Sequence, residues 1–219
     1  MHQEAMIPEA IADARIIRAS DMTELVKPRS ISDGIITRAG GLTEEMQAKG
    51  QYFVQIFDGK GNLKSQDTIQ NVVCSVGKIL ALDTFLAAAS YAVVGPFMGL
   101  ISSVTYTGVP LTADTMGTHG TWYEVSATTY FPTVAARLTT NGGWSAATGT
   151  GSKSLATALS FTIITNAGTL KGCFLVFGSG AVATLGSAAG TLYSAGVFTG
   201  GDKVVQVSDV VQVSYTASM

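Results

Sequence analysis

Apolar positions along this chain follow two periods, and the change between them divides it. Over 72–94 they recur at helical spacing: Val73, Val76, Ile79, Leu80, Leu82, Phe85, Leu86 and Ala89 share one broad face. Lys78 and Asp83 fall at its margin or opposite it, and Asn71 is placed to cap it. One helix packed on a sheet is expected there. Upstream, 52–57 (YFVQIF) is a short β-type run closed by the turn Asp58-Gly59-Lys60-Gly61, and 63–69 can return beside it. A hairpin over 51–70 follows. Downstream of Gly95 the period is two: 97–102, 122–128, 155–165, 169–177, 191–198, 203–207 and 210–215 are rich in β-branched and aromatic residues. Within the last of these, Val211, Val213 and Tyr215 share one side while Gln212 and Ser214 take the other. Asn141-Gly142-Gly143, Asn166-Ala167-Gly168 and Thr199-Gly200-Gly201-Asp202 supply turns. The expected fold class is all-β: a β-sandwich or jelly-roll-like domain over 51–219 with one packed α-helix.

Residues 1–50 carry a different pattern. Helix-forming fragments at 8–17 and 42–49 are separated by Pro28, Ser30, Ser32, Gly34 and the pair Gly40-Gly41, and apolar residues are too sparse for a core. An extended, partly helical arm that gains order from a neighbour is expected. Two further stretches, 145–154 and 178–190, consist largely of Ala, Gly, Ser and Thr and are expected as long loops, of the kind a partner orders.

Charge sharpens this division. The chain carries 13 Lys/Arg and 15 Asp/Glu. Beyond residue 80 the basic residues are only Arg137, Lys153, Lys171 and Lys203, and the acidic ones only Asp83, Asp114, Glu124, Asp202 and Asp209. An ordinary domain is about a quarter charged, so so sparse a C-terminal part either meets a bilayer or hides its surface against other subunits. Segment 84–101 has no formal charge and the minimum length of a membrane span. However, Gly95-Pro96 would break its helix and much of it is only Ala, Ser and Thr, so no membrane partner is expected. Nor is nucleic acid: the net charge is −2, and Arg15, Arg18, Lys27, Arg29 and Arg38 interleave with Glu9, Asp13, Asp21, Glu24 and Asp33 as in a docking segment. The N-terminal residues place acids where a secretory signal needs a basic and an apolar region. Cys74 and Cys173 are expected as small buried hydrophobes in a reducing cytosol, and His2 and His119 have no second ligand at metal spacing.

Chemistry is thinly represented. His119 is the single internal histidine and Asp114 lies near it, so a Ser-His-Asp hydrolase can be drawn, but no Gly-x-Ser-x-Gly elbow accompanies it. Two facing carboxylates for glycoside cleavage would have to come from Asp114, Glu124, Asp202 and Asp209. No phosphate-binding loop is present. The expectation is a protein that is not an enzyme and uses no cofactor or metal. Trp122, Tyr123, Trp144 and Tyr193 remain as aromatic faces that a sugar could stack on, or as core.

Specific words of sequence point further. Val93-Val94-Gly95-Pro96-Phe97-Met98-Gly99-Leu100-Ile101, Thr112-Ala113-Asp114-Thr115-Met116 with His119, and Trp122-Tyr123-Glu124-Val125 form one set. Gly190-Thr191-Leu192-Tyr193-Ser194, Phe198-Thr199-Gly200-Gly201-Asp202-Lys203 and Tyr215-Thr216-Ala217-Ser218 form another. Together they resemble a family of tailed-bacteriophage structural proteins encoded among the head genes, over roughly 52–219, with 1–50 outside the likeness. The resemblance implies a virion component of the capsid-decoration (cement) or head-associated type, made in the host cytoplasm and placed on the capsid surface. Its partners would be the major capsid protein and copies of itself. In that setting Arg15, Arg18, Arg29 and Arg38 of the arm are the expected ion-pair partners of acidic capsid surfaces. The alternative is a head-fibre or tail module that binds a host surface glycan through Trp122, Tyr123, Trp144 and Tyr193.

Overall fold

The computed structural model describes residues 35–37, 43–45, 47–86, 94–140, 143–149 and 151–219. The chain divides into two units between Met46 and Gln47. In the first, β1 (Ile35–Thr37) pairs antiparallel with β2 (Thr43–Glu45). The fragment expected as helix over 42–49 is therefore strand at Thr43–Glu45 and again from Lys49, with Gln47 and Ala48 in neither, a case where pairing overrides a weak intrinsic propensity. The fragment expected at 8–17, and Arg15, Arg18, Arg29 and Arg38, lie outside the described residues.

The second unit is built from two antiparallel sheets. In the first sheet β10 (Leu159–Thr162), β14 (Val210–Ser218), β3 (Lys49–Phe57) and β4 (Leu63–Gln70) lie in that order, with β9 (Ser152–Ser154) also paired to β14. In the second the order is β5 (Val72–Val73), β12 (Thr191–Val197), β11 (Gly168–Phe177), β6 (Phe97–Ser102) and β7 (Tyr123–Glu124). There β13 (Lys203–Val205) also pairs with β11, and β8 (Leu138–Thr139) with β6. β3 starts at Lys49, opposite Ser218, so the arm boundary expected at residue 50 falls inside a strand.

The alternating pattern explains the interior. Tyr52, Val54 and Ile56 of β3 and Val211, Val213 and Tyr215 of β14 point to one side of the first sheet. They meet Met98 and Leu100 of β6 and Leu170, Cys173 and Leu175 of β11 in one core. The second sheet is buried on its other face as well: Ile101, Phe174, Val176, Leu192 and Ala195 pack with Trp122, Met116 and Ala181, contributed by the long connections after β6 and β11. This second layer is why β6 and β11 read as almost continuous apolar runs instead of alternating.

The expected helix over 72–94 is shorter. Val72 and Val73 pair with β12, and α1 spans Ser75–Leu86. Asn71 consequently caps nothing and instead donates from its side-chain amide to the Tyr215 hydroxyl, 3.0 Å away. α1 packs on β12 through Gly77, Leu80 and Ala81. A Cβ on Gly77 would lie 2.6 Å from the Cα and carbonyl oxygen of Tyr193, so only glycine permits this approach. Ile79, Leu82 and Leu86, expected on the sheet-facing side, point away from it and are exposed. Strand length also differs: only Tyr123–Glu124 of 122–128 forms a strand, because the following residues turn back on themselves through Ser126. Among the described residues no helix is long and apolar enough to cross a membrane; the chain that begins 84–101 in α1 resumes as β6.

Candidate functional site

A groove of about 640 Å³ opens at one end of the second unit. The final residues of β14 (Tyr215, Ala217) and Lys153 of β9 form one wall, and Leu175 and Phe177 of β11 with Tyr193 of β12 form the other. Ala81 and Thr84 of α1 border it, and Trp144, held in register by a bridge to Leu155, closes it. The rings support one another. Trp144 meets Tyr215 edge to face with centroids 6.1 Å apart, and Phe177 packs on Tyr193 at 4.9 Å. Lys153 is the one charged side chain on this lining and has no ion-pair partner among the described residues.

Behind the wall runs a buried polar network. The Tyr52 hydroxyl lies 2.7 Å from Ser194 Oγ, which in turn is 3.5 Å from the Tyr215 hydroxyl. Burial, followed by the proximity of Tyr215, pushes the Tyr52 hydroxyl well above its ordinary pKa, and burial raises Tyr215 too. Both phenols stay protonated and act as hydrogen-bonding struts between the sheets. Asn71 Oδ1 is the buried side-chain oxygen at this network that lacks a partner among the described residues. The groove can therefore hold an apolar or aromatic surface and offers few polar groups to it.

Of the four aromatic residues singled out from sequence, the groove brings together Trp144 and Tyr193. Trp122 is 0% exposed: His119 stacks on it at 4.1 Å, Phe174 packs at 5.5 Å, and its indole N–H donates to Asp114 Oδ2 at 2.8 Å. It offers no face to a ligand. Tyr123 stacks on Tyr130 at 4.5 Å, outside the groove lining.

The candidate catalytic groups are each engaged in holding the fold. His119 Nδ1 donates to the Trp122 carbonyl oxygen at 2.9 Å, while Asp114 Oδ2 also accepts from the Leu111 amide at 2.9 Å. Trp122 thus stands between the two members of the imagined triad. Glu124 is buried in a two-pronged pair with Arg137, with Nε to Oε1 at 2.8 Å and Nη2 to Oε2 at 2.7 Å. Arg137 donates further to the carbonyl oxygens of Ser187 and Val182, and the Gly186 amide donates to Glu124, so one ion pair fastens the 178–190 loop. Asp209 pairs with Lys64 and accepts from the Gln206 amide, and Asp202 pairs with Lys171. Among the described residues no three His, Cys, Asp or Glu side chains gather as a metal site.

Sequence reasoning missed Tyr215, Phe177, Leu175 and Lys153 as groove residues. Three lie in strands whose pattern says only core; Lys153 had a signal, being one of four cations in the charge-poor part. No protein-family model matches the chain, and neither a curated protein nor a solved structure shows significant similarity to it.

Proposed function

We propose that this chain is a structural protein of a tailed-bacteriophage virion, a capsid decoration protein that bridges and stabilises subunits of the major capsid protein. The observation that carries this reading is the surface of the second unit: large apolar side chains, including Ile79, Leu82, Leu86, Val94, Val204 and Val207, are exposed on a unit with few charges. Such a surface favours burial against other subunits over life as a free monomer. The likeness of its sequence words to head-gene proteins supplies the setting. The protein works through buried area and many-fold attachment without a chemical step. Arg15, Arg18, Arg29 and Arg38 act as arm contacts to acidic capsid surfaces, and the chain is made in the host cytoplasm before it joins the capsid surface. Quantitative mass spectrometry of purified virions from a phage that encodes the chain tests this. A copy number commensurate with the major capsid protein is expected; its absence from virions overturns the proposal.

The groove favours a second reading, a head-fibre or tail module that binds a host surface glycan, because Trp144 and Tyr193 share one lining. A glycan array probed with the purified chain decides it. Binding that is lost in Trp144→Ala supports this reading, and an array without hits removes it.

A further inference from the structure

α1 has two apolar sides, and the sheet uses only one. Gly77, Leu80 and Ala81 face β12, whereas Ile79, Leu82 and Leu86 are 57%, 49% and 69% exposed. At about 100° per residue these three lie within an arc of about 60° opposite the packed face, flanked by Lys78 and Asp83 about 70° to either side. A helix apolar all round belongs in an interior, so its outer stripe lacks a neighbour among the described residues. Neither Lys78 nor Asp83 has an ion-pair partner among the described residues.

We infer that a second copy of this chain covers the stripe, with α1 helices packed parallel around a rotation axis. The two flanks decide the arrangement. Ile79, Leu82 and Leu86 take the a, d and a positions of a heptad, which puts Lys78 at g and Asp83 at e. In a parallel pair the g side chain of one helix meets the e side chain five residues on in its neighbour, so each Lys78 faces a neighbour's Asp83. An antiparallel pair would instead set lysine flank against lysine flank and aspartate against aspartate, which is repulsive. A plus flank and a minus flank on one stripe also make each copy complementary to the next, so the arrangement closes into a cyclic oligomer. The stripe buries less than the about 800 Å² per partner of a standard stable interface, so association depends on concentration. The inference deepens the assembly reading given above, and it concerns contacts between copies instead of contacts to the capsid.

Sedimentation velocity of the full-length chain across a concentration series tests it, with no capsid present. A concentration-dependent oligomer is expected, and Leu82→Glu should abolish it while leaving the melting curve of the dilute chain intact, since this side chain is half exposed and is not among those packed against either core. Lys78→Glu and Asp83→Lys should each weaken association at least about threefold, and the double charge swap should restore it. Single-cysteine probes report orientation, because both native thiols are buried. In a parallel assembly Ile79→Cys and Leu86→Cys each cross-link to themselves; in an antiparallel one both cannot. A chain that stays monomeric, an oligomer indifferent to Leu82→Glu, or failure of the double swap to restore association overturns the inference. A monomer that still joins virions would sink this inference alone, and an oligomer absent from virions would sink only the proposed function.

Discussion

The last 139 residues hold only nine charges, and among those that pair, Glu124–Arg137 matters most. Both are buried, and Arg137 also lies 5.5 Å from the Phe174 ring centroid. Removing one member leaves an uncompensated charge in the interior. Arg137→Met should therefore cost about 3–5 kcal/mol, and adding Glu124→Gln should recover part of the loss, as read from urea midpoints. A signal for this pair existed in the sequence: a lone Arg and a lone Glu amid Thr, Val and Ala need each other when buried. What the sequence could not show was that their shared target is the backbone of the 178–190 loop.

The two thiols follow the sequence expectation, since both are free and buried. Burial, then the negative charge of Asp114, pushes Cys74 up to about 12, and burial raises Cys173 as well. Neither should react with an aromatic disulfide reagent at mildly alkaline pH until the protein unfolds; rapid labelling of the native chain would contradict their placement. Asp67 gives the acid limb of stability. Burial opposes its ionisation, but Lys203 at 2.9 Å, the Thr199 hydroxyl and the Gly200 amide outweigh that and hold its pKa below the ordinary value. A carboxyl with a depressed folded pKa stabilises fully above its unfolded value, about 4, and loses that contribution as pH falls through the folded one. Asp67→Asn should flatten the drop in melting temperature below about pH 4.

At the level of elements, strands were easier to find than their companions. β3, β4, β11, β12 and β14 stand within a few residues of the runs that announced them, because alternation and turn residues act locally. α1 differs from the expectation in extent and orientation. Its residues are apolar on all sides, so periodicity could not say which face meets the sheet; Gly77 decides it by allowing contact with Tyr193. Gly77→Ala should push α1 from β12 and cost about 1–3 kcal/mol in a thermal melt, while an unchanged melting temperature would show the contact to be slack. The 178–190 stretch is a loop as expected, but Ala181 belongs to the second core and the loop is tied to Glu124 and Arg137. Its small residues let it pack closely, which composition alone does not show.

For the whole molecule, both hydrophobic cores and the two larger sheets lie within 47–219, which forms a unit by itself. A fragment beginning at Gln47 should fold with a melting temperature close to that of the full chain, whereas one beginning at Gln51 removes Lys49 and Gly50 from their pairing with Ser218 and Ala217 and should be less stable. The groove is half legible in the sequence: Trp144 and Tyr193 read as sugar-facing candidates, but their meeting depends on β9, β12 and β14 converging, a long-range event that no local pattern encodes. The claim that most needs a direct answer is attachment to a capsid. Phage heads assembled without this chain should be mixed with the purified protein, sedimented, and the bound copies counted against the major capsid protein. Saturation at a fixed ratio over the whole shell is the predicted result; no binding, or a handful of copies confined to one vertex, would contradict it.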